Sequence, residues 1–417
     1  MASRLPGISE DSEFSVTLSE AAERAERVHE ELEEALRWDE NPVTRLGRQL
    51  SHRSVISTAS SFAQQQEEAA YQVDLQIFQF LDCGFCGDVF AYTGKNQVIK
   101  RAINNDGQLW HDYLTGLDVH TKFSISQDLF TPFESPRIPK PQCCINPKNE
   151  RWWRENGAKF PEDRQTEERM PVMILERILP LTKPIRDTII DVFHGPKGKE
   201  EAKASPGNRN CIARLLLGRR RRSDRPPAFF RLKNFSLHLD QAEKIGLDID
   251  TYAVEMAIAL AVCHWKVHVD ANDVEFVLGS APTKLNFPAL ATAQVAALPP
   301  YTDTDPETSY DNYKKRSTHL WMLDYDKCKK MAADEEGVRQ AVKAAEDNEV
   351  YYPKPHKKRE SDQKLWKHFK GSYLWASSRI MQADEATTEE MKSLPIKFVE
   401  GWEIYRREKL DARPEDD

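Results

Sequence analysis

Residues 250–265, DTYAVEMAIALAVCHW, constrain the fold more than any other stretch, because apolar side chains occupy nearly every face of the helix they predict. A helix without a solvent side has to sit in the middle of a domain, covered by other elements. Asp250 is its expected N-cap. The longest apolar run, around Ala257 to Val262, is far too short to span a bilayer, so no membrane partner is expected. A chain of 417 residues with 9 Trp and 18 Phe carries enough apolar material for one large two-lobed domain or two ordinary ones.

Around that centre the chain changes character several times. Residues 1–70 read as a mobile polar appendage. Thr17-Leu18-Ser19-Glu20 makes a capping box, and Leu18, Ala21, Ala25, Val28, Leu32 and Ala35 then recur at helical spacing. They predict an amphipathic helix over about 17–38, which docks on its own domain or meets a protein partner. From Tyr71 the pattern switches to period two: Val73, Leu75 and Ile77 alternate with Gln72, Asp74 and Gln76, as in a half-buried strand. Gly84 and Gly87 fall in a turn before Val89-Phe90-Ala91-Tyr92, and Thr93-Gly94-Lys95-Asn96 marks the turn into Gln97-Val98-Ile99-Lys100. Helix-spaced apolar residues follow over 108–123, and Pro171–Glu176 reads as a buried strand ending in a carboxylate.

Beyond the central helix, a polar loop around Asp270 leads to a strand with Val274, Phe276 and Leu278 on one side. Leu320–Leu323 runs as a strand into Asp324. Segments near 196–210 and 280–317 read as mobile inserts. Three helical stretches, around 329–347, 363–383 and 388–409, close the chain. Strands first and helices later is the order of an α+β protein.

A formal net charge of -8 makes the whole molecule no general partner for nucleic acid, leaving Arg219–Arg222 as a local exception. Such a run suits a solvated loop, a nuclear-localisation signal or a phosphate contact. Seven cysteines, an odd number, and a polar acidic beginning predict an intracellular protein, cytoplasmic or nuclear. Cys83 and Cys86 form a C-x-x-C with no second pair, while Cys143 and Cys144 are adjacent, so structural zinc is not expected. A redox dithiol wants its pair at a helix start, whereas Asp88-Val89-Phe90 follows here.

The order of the polar parts points to phosphoryl transfer. Backbone N–H groups of a glycine turn can cover phosphates, a lysine can hold their oxygens, and carboxylates can serve as base and magnesium ligands. In this order the chain resembles the protein-kinase-like superfamily, including its branch acting on aminoglycosides and choline. The resemblance implies a two-lobed fold, with a small antiparallel-sheet lobe over 71–178 and a mainly helical lobe over 179–412. It implies ATP against Gly84, Gly87, Val89 and Lys100, with Glu176 at the hinge between lobes. His268-Val269-Asp270 resembles the catalytic loop, making Asp270 the group at the acceptor hydroxyl. Asp324-Tyr325-Asp326 resembles the magnesium-binding motif, with Glu275 where an asparagine would hold a second ion.

Departures stand beside it: Asp82 replaces the first glycine of the loop, Glu275 replaces the asparagine, Asp326 replaces the glycine of the magnesium motif, Glu275 and Asp324 lie 49 residues apart, no A-P-E follows, and the helix after Lys100 offers Asp112 or Asp118 rather than a glutamate. Two functions therefore remain open: an ATP-dependent phosphotransferase on a small molecule or unusual acceptor, or a catalytically inactive kinase-like scaffold or regulatory module. LGRRRR, FFRLKNFSLHLDQAEKIGLD, AVCHWKVHVDANDVEFVLG, LWMLDYDKC and YYPKP further resemble a family of uncharacterised fungal proteins with a C-terminal domain of unknown function, sometimes labelled "zinc finger protein". That resemblance spans roughly 75–410 and implies no activity.

Overall fold

A computed structural model describes residues 41–412, apart from 52–53, 58–60, 105, 167, 224–229, 288–296, 298–307 and 349. The helix expected over 17–38 lies outside the described residues. The protein is a mixed α+β structure built on two five-stranded sheets. The chain enters through helix α1 (Pro42–Gln49), strand β1 (Val55–Ser57) and helix α2 (Ser61–Tyr71), then folds the first sheet. Its strands β2 (Phe78–Cys83), β3 (Gly87–Tyr92), β4 (Gln97–Ala102), β5 (Pro141–Ile145) and β6 (Val172–Glu176) lie in the order β2-β3-β4-β6-β5, all antiparallel. Helix α3 (Gln108–Ser126) leaves β4 and packs on β5 and β6, and the short α4 (Glu150–Asn156) lies between β5 and β6.

Helices α5 (Lys183–Phe193) and α6 (Lys199–Ala204) lead into the second sheet. There β7 (Ala213–Leu216) pairs parallel with β8 (Phe235–His238) and antiparallel with β9 (Glu275–Phe287), which pairs with β10 (Thr308–Leu323) and through it with β1. Helices α7 (Leu239–Lys244) and α8 (Ile249–Val262) separate β8 from β9. Helices α9 (Glu335–Asp347), α10 (Glu360–Gln382) and α11 (Leu394–Ala412) finish the chain.

Helix α8 is central, as its composition requires: every residue from Tyr252 to Val262 is buried, and α10 packs along it. Its N-cap is Asp248, whose carboxylate accepts from the Thr251 N–H at 3.1 Å. Asp250, the expected cap, falls two positions later, in the first turn, where its charge still complements the helix dipole. A π-helical turn, Cys263–Val267, follows and delivers His268 in a left-handed conformation (φ 60°). His264 packs in the core against the Tyr373 hydroxyl at 2.9 Å, and burial pushes its imidazole down to about 3. Among the described residues no helix is long and apolar enough to cross a membrane.

Further expectations need correction. The mobile appendage expected over 1–70 is, where described, part of the fold: Leu46, Leu50 and Ile56 are buried in the main core, and β1 pairs with β10. The strand read from Val73 begins only at Phe78; residues Val73–Leu75 form a 3-10 turn, with Leu75 and Ile77 exposed. Alternation over so few residues did not report a buried face. The 280–317 segment is no structureless insert where described, because β9 and β10 extend into it as a paired ladder to Phe287 and from Thr308. The 196–210 segment likewise carries α6 and a 3-10 turn, Pro206–Asn208.

Candidate functional site

A cavity of about 340 Å³ lies between the first sheet and the inner ends of β7, β9 and β10. Its floor follows from the pleat of β4, whose successive side chains alternate between faces. Ile99 and Arg101 are buried on the face packed against Phe160 and Phe90, while Val98 and Lys100 line the cavity. Val89, opposite Lys100 in the ladder, lines it as well, with Gly84 at the rim.

Gly87 does not line this cavity; it sets strand spacing instead. A methyl group there would stand 2.6 Å from the Arg101 carbonyl oxygen, closer than any real contact. Gly87→Ala is therefore expected to destabilise the first sheet by about 1–3 kcal/mol, read as a lower urea midpoint.

Lys100 is the hub. Its ammonium meets Asp112 of α3 at 2.7 Å and Asp324, just past β10, at 3.5 Å. Burial alone would lower its pKa, but the Asp112 and Asp324 carboxylates outweigh that and hold it above the ordinary lysine range. Asp112 also accepts from the Tyr325 N–H at 3.2 Å, so one carboxylate fastens both the lysine and the backbone that carries Asp324. The lysine partner left open between Asp112 and Asp118 is thus Asp112; Asp118 pairs with Lys330 at the surface. Asp324 itself is left-handed (φ 69°), a conformation costing about 1 kcal/mol or more outside glycine and persisting where surroundings enforce it. Burial raises its pKa, Lys100 opposes that, and Asp112 and Asp326 add to it.

Asp326 takes a hydrogen bond from Gln108 Nε2 at 3.5 Å on one oxygen. Its other oxygen, Oδ1, is buried without a hydrogen-bond partner among the described residues. Among these residues no group of three or more His, Cys, Asp or Glu forms a ready metal cage. Two neighbouring carboxylates with an orphaned oxygen fit a hard cation of the kind that completes its shell with phosphate oxygens and water.

Glu275 lines the cavity but is engaged by Arg214 of β7 at 2.6 Å. Burial pushes its carboxyl up to about 7, Arg214 works against this, and Asp324 and Asp273 add to it. The proton is held more tightly in the folded state than at the ordinary 4.5, so this contribution to stability is complete below pH 4.5 and is lost as pH rises through about 7. Glu275→Gln is expected to flatten that part of the stability–pH profile by about 3 kcal/mol, measured by urea unfolding on both sides of the window.

The remaining expected residues separate. Glu176 lines the cavity while its carboxylate pairs with Arg137 at 3.2 Å, and that guanidinium lies over the Trp321 ring. Asp270 is not brought to the cavity wall. It is only 3% exposed, accepts from the Lys329 and Asn272 N–H groups at 2.9 and 3.2 Å, and takes Gln340 Nε2 at 2.8 Å. Asp273, three residues further on, is the exposed carboxylate of this loop and pairs with Lys327 at 2.5 Å.

Arg214, Lys233 and Asn234 also line the cavity and were missed. A lone arginine inside the apolar run Ile212–Leu217 was the one available signal for Arg214. Lys233 and Asn234 answer the question raised by Asp82: they hold its carboxylate at 2.9 and 3.0 Å. Burial would raise the Asp82 pKa, but these two contacts and the lysine charge keep it low. The charge that replaces the first glycine is thus balanced by the facing segment. In the same loop Cys83 is exposed, whereas Cys86 is buried and its thiol is pushed up to about 11, the opposite of an activated dithiol.

A family model described as "Zinc finger protein", for a domain of unknown function, matches residues 320–385, and no curated protein matches the chain. The matched segment begins on β10, includes Asp324 and Asp326, and ends past α10. It holds one cysteine, Cys328, and two histidines, His356 and His368. Cys328 is buried and directs its thiol to the Asn272 carbonyl, and His356 bonds the Glu403 carbonyl at 2.8 Å. This donor set does not fit a structural zinc ion, which takes four nitrogen or sulfur ligands.

Proposed function

We propose that the chain is a kinase-like, two-lobed nucleotide-binding protein that takes ATP in the cleft between its two sheets. One observation carries this reading: Lys100 on a strand of the first sheet is bound at once to a helix carboxylate, Asp112, and to Asp324 from the other side of the cleft. Phosphate sites of this superfamily need that combination of lysine, partner and metal-binding aspartate. Asp112 stands where a glutamate is usual, with a side chain shorter by one methylene.

Asp324 and Asp326 would hold a magnesium ion, which supplies charge neutralisation for phosphate oxygens. Lys100 positions the nucleotide phosphates; Val89, Val98 and Leu323 supply apolar walls suited to a base. Turnover as an ATP-dependent phosphotransferase calls for a carboxylate at the acceptor, and Asp273 serves that role better than the enclosed Asp270. A second reading, a scaffold that binds without turnover, is favoured by Asp270 itself, whose carboxylate is saturated by groups of its own fold.

Calorimetric titration of the full chain with Mg-ATP tests binding, with saturable one-to-one binding expected. Wild type with no detectable binding ends both readings. Release of phosphate or labelling of an acceptor, lost in Asp273→Asn and kept in Asp270→Asn, separates the enzyme from the scaffold.

A further inference from the structure

The Arg219–Arg222 run is not spent as a solvated loop. It forms one wall of a concavity of about 830 Å³ whose other wall comes from Lys357, Lys358 and Arg359, with Arg406 and Lys409 behind. Asp362 is the single acidic residue among those lining it. The run is also unevenly used. Arg220 is forked between Glu243 at 2.6 Å and Asp362 at 2.5 Å, and Arg221 is held by Asp240 at 2.8 Å. Those contacts fix the backbone, while Arg219, Arg222, Lys358 and Arg359 are exposed and have no ion pair among the described residues.

We infer that this concavity is a binding site for a compact, multiply phosphorylated ligand, an inositol polyphosphate or the like-charged headgroup of a lipid. Clustered cations of one sign repel one another, and a multivalent anion relieves that repulsion. Arginine forks match phosphate oxygens in pairs, and the lysines add point charges opposite them. Such a cluster is a local reversal of sign in a chain of net charge -8. Its shape is a concavity rather than a stripe, and its lining includes leucines and proline but no aromatic ring. Single-stranded nucleic acid uses a groove with stacking platforms, so a compact polyphosphate fits better. The inference is independent of the nucleotide cleft.

The test is calorimetry and thermal shift on the full chain with inositol hexakisphosphate at near-physiological salt. Saturable one-to-one binding with a rise in Tm is expected. Arg222→Glu together with Lys358→Glu weakens it about tenfold or more, while Arg222→Lys with Lys358→Arg keeps it. Should the charge-reversed pair misfold by circular dichroism, the neutral pair Arg222→Gln with Lys358→Gln gives the same readout. Competition by vesicles containing phosphatidylinositol bisphosphate assigns the site to a lipid headgroup, and lack of competition assigns it to a free ligand; both support the site. Asp324→Asn leaves this binding unchanged, which separates it from the nucleotide cleft. Affinity no greater than for sulfate at equal ionic strength, indifference to the charge-reversed pair, or tighter binding of single-stranded RNA through these residues overturns the inference.

Discussion

On the proposed reading Mg-ATP raises the Tm of the wild-type chain, and Asp324→Asn is expected to abolish that rise while leaving the unliganded protein close to its original stability. A ligand at a hundredfold excess over its Kd stabilises a fold by about 2.7 kcal/mol, enough for a clear rise in Tm. Asparagine is the informative replacement because Asp324 is left-handed, a conformation asparagine tolerates and alanine does not. The substitution keeps shape and backbone and removes only the charge. Lys100 retains Asp112 at 2.7 Å, so no buried ammonium is abandoned in the variant. A full Mg-ATP shift in Asp324→Asn would contradict the assignment of Asp324 to the metal. Because burial raises the Asp324 pKa, the wild-type shift should also weaken toward acid pH sooner than an ordinary carboxylate would allow.

The largest stability effect is expected at Glu346, on α9. Its side chain is fully enclosed, and it accepts from Arg406 at 2.8 Å, Lys409 at 2.9 Å and Trp402 Nε1 at 3.1 Å, all on α11. Three donors on one helix meet one carboxylate on another, so the contact clamps the last helix to the helical body. Arg406 is itself nearly enclosed, and removing its partner leaves a desolvated guanidinium facing a void. Glu346→Ala is expected to cost about 3–5 kcal/mol, whereas breaking an exposed pair such as Lys343–Asp347 should leave the urea midpoint nearly unchanged. Urea unfolding of Glu346→Ala and Lys343→Ala side by side checks the contrast. Equal midpoints would mean that the buried network adds nothing beyond a surface pair.

Much of the local structure was legible in the sequence because it depends on neighbours only a few residues apart. The buried helix announced itself by having no polar face, and the three closing helices by their apolar period. The strand carrying Lys100 and the one entering Asp324 stood out between turn residues. Where the local signal was thin, it misled. Leu75 and Ile77 alternate like a strand and lie exposed beside a 3-10 turn. Two aspartates flank the start of α8, and only the helix's actual first turn decided that Asp248 is the cap.

The site was legible as an inventory and not as an arrangement. Sequence order placed Lys100, Glu275, Asp324 and Asp326 in a row of polar parts, but charge neighbours across hundreds of residues follow from packing. Asp112 and Asp118 are both acidic positions of one helix, and only the docking of α3 turned the first toward Lys100 and left the second at the surface. Asp270 and Asp273 are three positions apart, and the left-handed turns at His268, Ala271 and Asp273 enclosed one and exposed the other. Lys233 entered the cavity wall because the segment before β8 faces the glycine turn, and Arg214 because β7 pairs with β9 beside Glu275, long-range contacts without local signature. The sequence by itself determined several strands of the first sheet, the closing helices, which helix is central, and which chemistry-bearing residue types are present. Tertiary structure alone decided which carboxylate meets which cation, since electrostatic partnership depends on distance and burial in three dimensions and not on spacing along the chain.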